Sequence, residues 1–150
     1  MSAQRPLELI LSRNLLSSLS TPGLLVGEGG KLLFFNEAAG AFLGRSFEDA
    51  TGLDADQWTA EFGPLNPSGD PIPYEDIPAT EALRQRVPFH GQFAINASGQ
   101  HRPIEVTAIP IVAPDESTAA MVLFWPTDGK PIHAHPAHLA DHLDDNGGTV

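Results

Sequence analysis

The sequence predicts an α+β fold with a five-stranded antiparallel sheet whose helices lie mainly on one face. Three observations lead to this prediction. A leucine-rich segment at residues 6–20 has helical spacing, short apolar runs divided by glycines follow it, and residues 89–125 contain three strand-like segments. A helical middle section separates the first two strands from the last three.

The N-terminal helix is expected to begin near Pro6 and to end before the turn at residues 20–23. Its leucines form two stripes on different sides. One stripe is the ridge Leu7, Leu11, Leu15 and Leu19, and the other consists of Leu9 and Leu16. One buried face does not account for both stripes. We therefore expect either a helix packed deeply on its own domain or one that also packs on a partner.

The next segments predict a β-hairpin and a short helix. Residues 24–26 and 31–35 are apolar runs on either side of a glycine-rich turn. That turn is not a phosphate loop, because Leu32 stands where Ser or Thr would follow Gly-Lys. Asn36 is expected to cap a helix over residues 37–43, which Gly44 ends.

The second half begins with an irregular, proline-rich crossing and a helix over residues 78–84. Strand periodicity follows it. Phe93 and its neighbours of equal parity are expected on the inner face of the sheet, and His90 is expected on the outer face. Counting back from a tight turn at residues 96–99 pairs His90 with Glu105. The last strand is expected over residues 119–125.

Composition excludes several classes of function. The 150 residues include no Cys, which removes cysteine nucleophiles, iron–sulfur clusters and thiolate metal sites. With 19 acidic and 8 basic residues the formal charge is −11, so neither nucleic acid nor a membrane is expected as a partner. No signal-peptide pattern opens the chain, and this predicts a cytoplasmic location.

Three stretches carry a resemblance to a known family: residues 24–53 (LLVGEGGKLLFFNEAAGAFLGRSFEDATGL), 70–93 (DPIPYEDIPATEALRQRVPFHGQF) and 98–112 (SGQHRPIEVTAIPIV). Together they resemble a PAS domain, the sensory fold of bacterial signalling proteins. The resemblance implies an N-terminal dimerisation helix at 1–22, a PAS domain at 23–127 and a His/Asp-rich tail at 128–150. It also implies a stand-alone PAS protein or an excised sensory module.

The chain departs from that family in two ways. Where many PAS domains end in an Asp-Ile-Thr-like sequence, residues 125–127 are Trp-Pro-Thr, so the usual coupling to an exit helix is expected to be lost. The light-sensing flavin branch needs a cysteine that is absent here, which excludes its adduct. Haem is not expected either, because the haem-binding branch places its His ligand on the segment that is 78–84 here, and that segment has no His.

Four residues are candidates for the wall of the cavity that the resemblance implies: Trp58, Tyr74, Phe93 and Arg102. Arg102 has the parity to face inward, although long side chains also reach back to water. For the three aromatic residues, simple packing is the alternative role. No cofactor is identified by these residues, which suit a small apolar ligand.

The tail offers a metal-site hypothesis. His138 and His142 are four residues apart, a spacing at which two imidazoles share one ion on a helix. A solvated tail is the favoured alternative, so no metal is expected.

The sequence therefore predicts a signal-sensing PAS module that binds a small apolar ligand or a partner protein. Signalling through a homodimer is expected, with the N-terminal helix as the seam through Leu9 and Leu16 or through the other ridge. The alternatives are a ligand-free scaffold for protein interaction and a small cavity enzyme. No nucleophile motif is present, so an enzyme is not expected.

Overall fold

A computed structural model describes residues 7–46, 52–97 and 99–128. The helices are α1 (Leu7–Ser17), α2 (Glu37–Leu43), α3 (Ala55–Phe62) and α4 (Pro78–Gln85). The strands are β1 (Gly23–Gly27), β2 (Leu32–Phe35), β3 (Phe89–Ala97), β4 (Gln100–Val112) and β5 (Thr118–Pro126). Single 3₁₀ turns occur at Glu28–Gly30 and Tyr74–Asp76.

The five strands form one antiparallel sheet in the order β2-β1-β5-β4-β3. This confirms the predicted five-stranded α+β fold. Because β1 pairs with β5, the first and last strands lie side by side in the middle of the sheet. The chain just before β1 therefore lies beside the end of β5, where the N–H of Phe124 donates to the carbonyl oxygen of Pro22 at 3.0 Å.

The two faces of the sheet bury different clusters. On the inner face the main core packs against α2, α3 and α4, and it includes Val26, Phe42 and Phe124. On the outer face a smaller cluster contains Leu16 of α1. The helices after β2 thus share one face, as expected, while α1 crosses the opposite face.

Local sequence explains where the helices begin and end. The Asn36 side chain accepts a hydrogen bond from the backbone N–H of Ala39, and Gly44 ends α2 with a φ of 77°. Asp54 opens α3 with a capping box. The helix α4 begins with a proline in its first turn.

The β3–β4 hairpin corrects one predicted register. The strands continue to Ala97 and Gln100, so His90 pairs with Thr107 and Gln92 pairs with Glu105. The sequence prediction placed the turn over four residues and therefore paired His90 with Glu105. The predicted register is therefore wrong by two residues, and a shift of two residues leaves every side chain on its predicted face.

Across the residues that the structure describes, no helix combines the length and the apolar composition that crossing a membrane requires.

Candidate functional site

A small cavity lies between the inner face of the sheet and the helices. Its volume is about 60 Å³, and all of its lining residues are apolar, among them Trp58, Phe62, Phe93, Ile104 and Phe124. Pockets that bury a drug-sized ligand usually measure roughly 300–1,000 Å³. A flavin, a haem or a fatty acid would not fit this cavity without rearrangement of its walls.

Trp58 and Tyr74 close one side of the core. Trp58 lines the cavity, and its indole Nε1 donates a hydrogen bond of 2.6 Å to the carbonyl oxygen of Gly30. The ring of Tyr74 packs edge-on against Trp58, with 5.7 Å between ring centroids, and does not line the cavity. Burial raises the pKa of the Tyr74 phenol above its ordinary value. The indole N–H is therefore engaged with backbone rather than directed at a ligand.

Phe93 lines the cavity from β3 and is half-buried. Its inward position agrees with the predicted strand parity. Because β3 is an edge strand, one side of the ring remains accessible to solvent. Phe93 thus packs at the margin of the main core and lines the cavity there.

Arg102 faces inward but does not line the cavity. Its side chain is nearly buried and pairs with Asp128, with Nε–Oδ2 and Nη2–Oδ1 distances of 3.0 and 2.9 Å. Its guanidinium also lies over the ring of Phe42, 4.7 Å from the centroid. The cavity assignment of Arg102 is therefore corrected, because these partners hold the side chain elsewhere.

The buried side of α1 corrects the residues of the predicted dimer seam. Leu16 has no exposed surface and packs with Leu25, Phe34 and Met121 on the outer face of its own sheet. Leu9 is half-buried beside a shallow groove at the same face. A side chain that is fully buried within its own chain does not reach a partner, so Leu16 belongs to the core.

The opposite side of α1 carries an exposed apolar ridge. It consists of Leu7, Ile10, Leu11 and Leu15, with exposed fractions of 62%, 44%, 56% and 52%. Three of these residues belong to the other leucine stripe that the sequence showed. We call them the α1 ridge.

Asn36 ties α1 to the sheet and to α2. Its Nδ2 donates to the carbonyl oxygens of Leu16 and Thr21, each at 2.9 Å. Its Oδ1 accepts from the backbone N–H groups of Gly23 at 3.0 Å and Ala39 at 2.9 Å. The buried amide thus makes four hydrogen bonds, which uses its full bonding capacity. The sequence predicted the cap of α2 but not the bonds to Leu16 and Thr21.

A polar network on the outer face joins side chains of β3, β4 and β5. Glu105 accepts from Gln92 at 2.8 Å and from the indole Nε1 of Trp125 at 3.1 Å. His90 is hydrogen-bonded to Thr107 at 2.8 Å, and its Nε2 lies 3.7 Å from Glu105. The outward position of His90 agrees with its predicted face. The hydrogen bond from Gln92, followed by the one from Trp125, holds the pKa of Glu105 below its ordinary value.

The lowered pKa of Glu105 predicts a pH effect. A carboxylate whose pKa is lower in the folded state stabilises the fold above its unfolded pKa, and it loses this contribution as pH falls through the folded value. Wild type is expected to lose more stability than Glu105→Gln between about pH 5 and pH 3. Urea titrations across this range would measure it, with Glu116→Gln as control. Parallel curves for wild type and Glu105→Gln would contradict the prediction.

Within residues 7–46, 52–97 and 99–128, no three His, Asp or Glu side chains are grouped so that they could hold an ion. The predicted pair His138 and His142 lies outside the described residues.

No protein-family model matches the sequence, and no curated protein matches it. Solved structures do match it. The PAS domain of BvgS from Bordetella pertussis is 17% identical with a TM-score of 0.55, and the match covers 92% of this chain and 96% of that one. A PAS domain of a protein from Colwellia psychrerythraea is 17% identical with a TM-score of 0.60, over 81% and 98% of the two chains.

A third match is a PAS domain from a two-component sensor histidine kinase, 13% identical with a TM-score of 0.56 over 81% of this chain and 97% of that chain. This chain has a PAS fold. At identities this low, the structural matches establish the fold and leave the activity open. The PAS resemblance of the sequence is thereby confirmed for the fold.

The residues at the end of β5 differ from the Asp-Ile-Thr-like ending of many PAS domains, in which an aspartate comes first. Trp125 stands at that position, lies on the outer face and donates to Glu105. Asp128, three residues after Trp125, pairs with Arg102. This pairing of Asp128 could not be predicted from the sequence, because its partner lies 26 residues earlier and only the β4–β5 register brings the two together.

Proposed function

We propose that this chain is a signal-transducing PAS module that works through contacts between proteins, with a homodimer formed by the α1 ridge as its working unit. The observation that carries the proposal is the division of α1 into two sides. One side is locked onto the sheet through Leu16 and Asn36, and the other presents four large apolar side chains to solvent.

The α1 ridge has the properties of a contact surface. A contiguous exposed apolar patch on a domain usually marks an interaction site. In a two-fold dimer the same patch serves both subunits, and a single helix side with apolar residues at positions i, i+3, i+4 and i+8 meets this requirement. A shift of one α1 against the other would act directly on the sheet, because the buried side of the helix is part of the outer cluster.

The small cavity supports a role without a large ligand. Among the described residues that line it, only Trp58 carries a polar group, and its indole N–H is bound to Gly30. Nothing in the lining would orient a polar ligand or act as a nucleophile. We therefore favour a binding and signalling role over catalysis. The similar domain from a sensor histidine kinase supports a place in signal transduction.

The variant Leu11→Asp with Leu15→Asp is expected to convert the dimer to a monomer. Burying two carboxylates in an apolar seam while losing two leucine contacts would weaken association by about a thousandfold or more. Both leucines are exposed in the single chain, so the variant should remain folded with the wild-type circular dichroism spectrum, while its unfolding midpoint should no longer depend on protein concentration. Sedimentation equilibrium at micromolar concentration would measure the mass.

The matched control is Gln85→Glu with Gln100→Glu, which adds the same charge at exposed positions away from α1. The control should remain a dimer. Equal masses for wild type and the α1 variant would refute the seam. Wild-type protein that is monomeric at all concentrations would refute the dimer itself.

A further inference from the structure

The ion pair between Arg102 and Asp128 joins β4 to the chain just beyond β5. It is bidentate, and the two side chains are only 7% and 17% exposed. The last β4–β5 pair is Ile104 with Pro126. Beyond it the N–H of Thr127 donates to the carbonyl oxygen of Pro103 at 3.0 Å. The pair therefore extends the contact between the two strands for two residues past the end of β5.

The other side of Arg102 contacts the helical layer. Its guanidinium lies over the ring of Phe42 on α2. Phe42 in turn packs edge-on against Phe124 of β5, with 5.5 Å between centroids. One cation is thus shared between an aromatic ring of the main core and a carboxylate at the chain exit. The planar guanidinium suits both contacts at once, whereas a lysine ammonium would not.

Stability alone does not explain a pair in this position. A nearly buried ion pair is often no more stabilising than apolar residues of similar size, but it fixes one geometry because each charge needs its partner. We propose that Arg102 and Asp128 form a clamp that couples the packing of α2 to the position of the chain where it leaves β5. A displacement of Phe42 would move the guanidinium and release Asp128 and Thr127 together. This inference does not depend on the dimer.

The hydrogen-exchange rate of the Thr127 amide reports whether the clamp is closed or released. In Asp128→Asn, which keeps the size of the side chain but removes its charge and one of its two acceptor oxygens, this rate should rise by about tenfold to a hundredfold. Phe42→Leu, made at the other end of the clamp, should also raise it by about tenfold. The control is Ile77→Val, a buried change in the same core without contact to Arg102. NMR hydrogen exchange would measure the rates, with urea unfolding to correct for global stability.

A second background tests whether the effect passes through Arg102. In Arg102→Met protein, Phe42→Leu should no longer raise the Thr127 rate beyond the change in global stability. The clamp is overturned if Phe42→Leu acts no more strongly on Thr127 than Ile77→Val does. It is also overturned if the effect of Phe42→Leu persists without the guanidinium. A Thr127 rate that Asp128→Asn leaves unchanged would show that the ion pair does not hold the exit.

Discussion

Replacing Asn36 with alanine is expected to lower the free energy of unfolding by about 3–5 kcal/mol. The substitution removes four hydrogen bonds at a side chain that is only 2% exposed. The carbonyl oxygen of Thr21 and the N–H groups of Gly23 and Ala39 lose their bond to this side chain, while the carbonyl oxygen of Leu16 keeps its bond from the N–H of Leu19 at 3.1 Å. Each unsatisfied buried group contributes roughly 1–3 kcal/mol, and relaxation of the chain recovers part of that sum. Urea denaturation followed by circular dichroism would measure the loss.

The variant Asn36→Asp separates the hydrogen bonds that this side chain accepts from those that it donates. A carboxylate still accepts from Gly23 and Ala39, but it faces the carbonyl oxygens of Leu16 and Thr21 with no proton to donate. It should therefore keep the cap of α2 and loosen α1, which hydrogen exchange of the α1 amides would show. The account of Asn36 fails if both variants unfold at the wild-type midpoint, or if α1 exchange is unchanged in the aspartate variant.

Replacing Gly30 with alanine is expected to lower the free energy of unfolding by about 2–4 kcal/mol. Gly30 has a φ of 87°, and an added Cβ would lie 2.6 Å from Cζ of Tyr74 and 2.7 Å from Cβ of Ala55. The ring of Tyr74 would have to move away from Trp58, and the bond from Trp58 to Gly30 would weaken. The same urea titration measures this effect.

Gly29 provides the matched control for that variant. It has a similar φ of 77°, but nothing lies within 4 Å of an added Cβ, so Gly29→Ala should lower stability by only about 1–2 kcal/mol. Because Tyr74 is the sole tyrosine, its titration is visible by ultraviolet absorbance. The raised pKa of Tyr74 should fall toward its ordinary value in Gly30→Ala but not in Gly29→Ala. Equal losses for the two glycine variants would contradict the close packing of Tyr74.

The sheet could be predicted from the sequence because its side chains alternate. Parity placed Phe93 and Arg102 on the inner face and His90 on the outer face, and these assignments agree with the structure. The register of the β3–β4 hairpin was wrong because it depends on turn length, and the two strands continue closer to the turn than its residues suggested. The Asn36 cap was predictable from local spacing. Its bonds to α1 were not, since Leu16 precedes it by 20 residues.

The contacts around the predicted site could not be obtained from the sequence for a related reason. Leucines occur on several sides of α1, so periodicity alone did not tell which stripe is buried, and the structure assigns burial to Leu16 and exposure to Leu11. The inward parity of Arg102 was correct, but its partner is chosen by the β4–β5 register and by α2. The size of the cavity depends on how tightly side chains such as Trp58 and Phe62 pack, which no pattern of hydrophobic positions encodes.

Native mass spectrometry of the freshly purified full chain tests the central claim most directly, because it reports assembly and retained ligands together. The account of a protein-contact PAS module predicts a species at twice the chain mass with no added mass. A chain that remains monomeric at micromolar concentration, or one that retains a molecule of cofactor size, would contradict it.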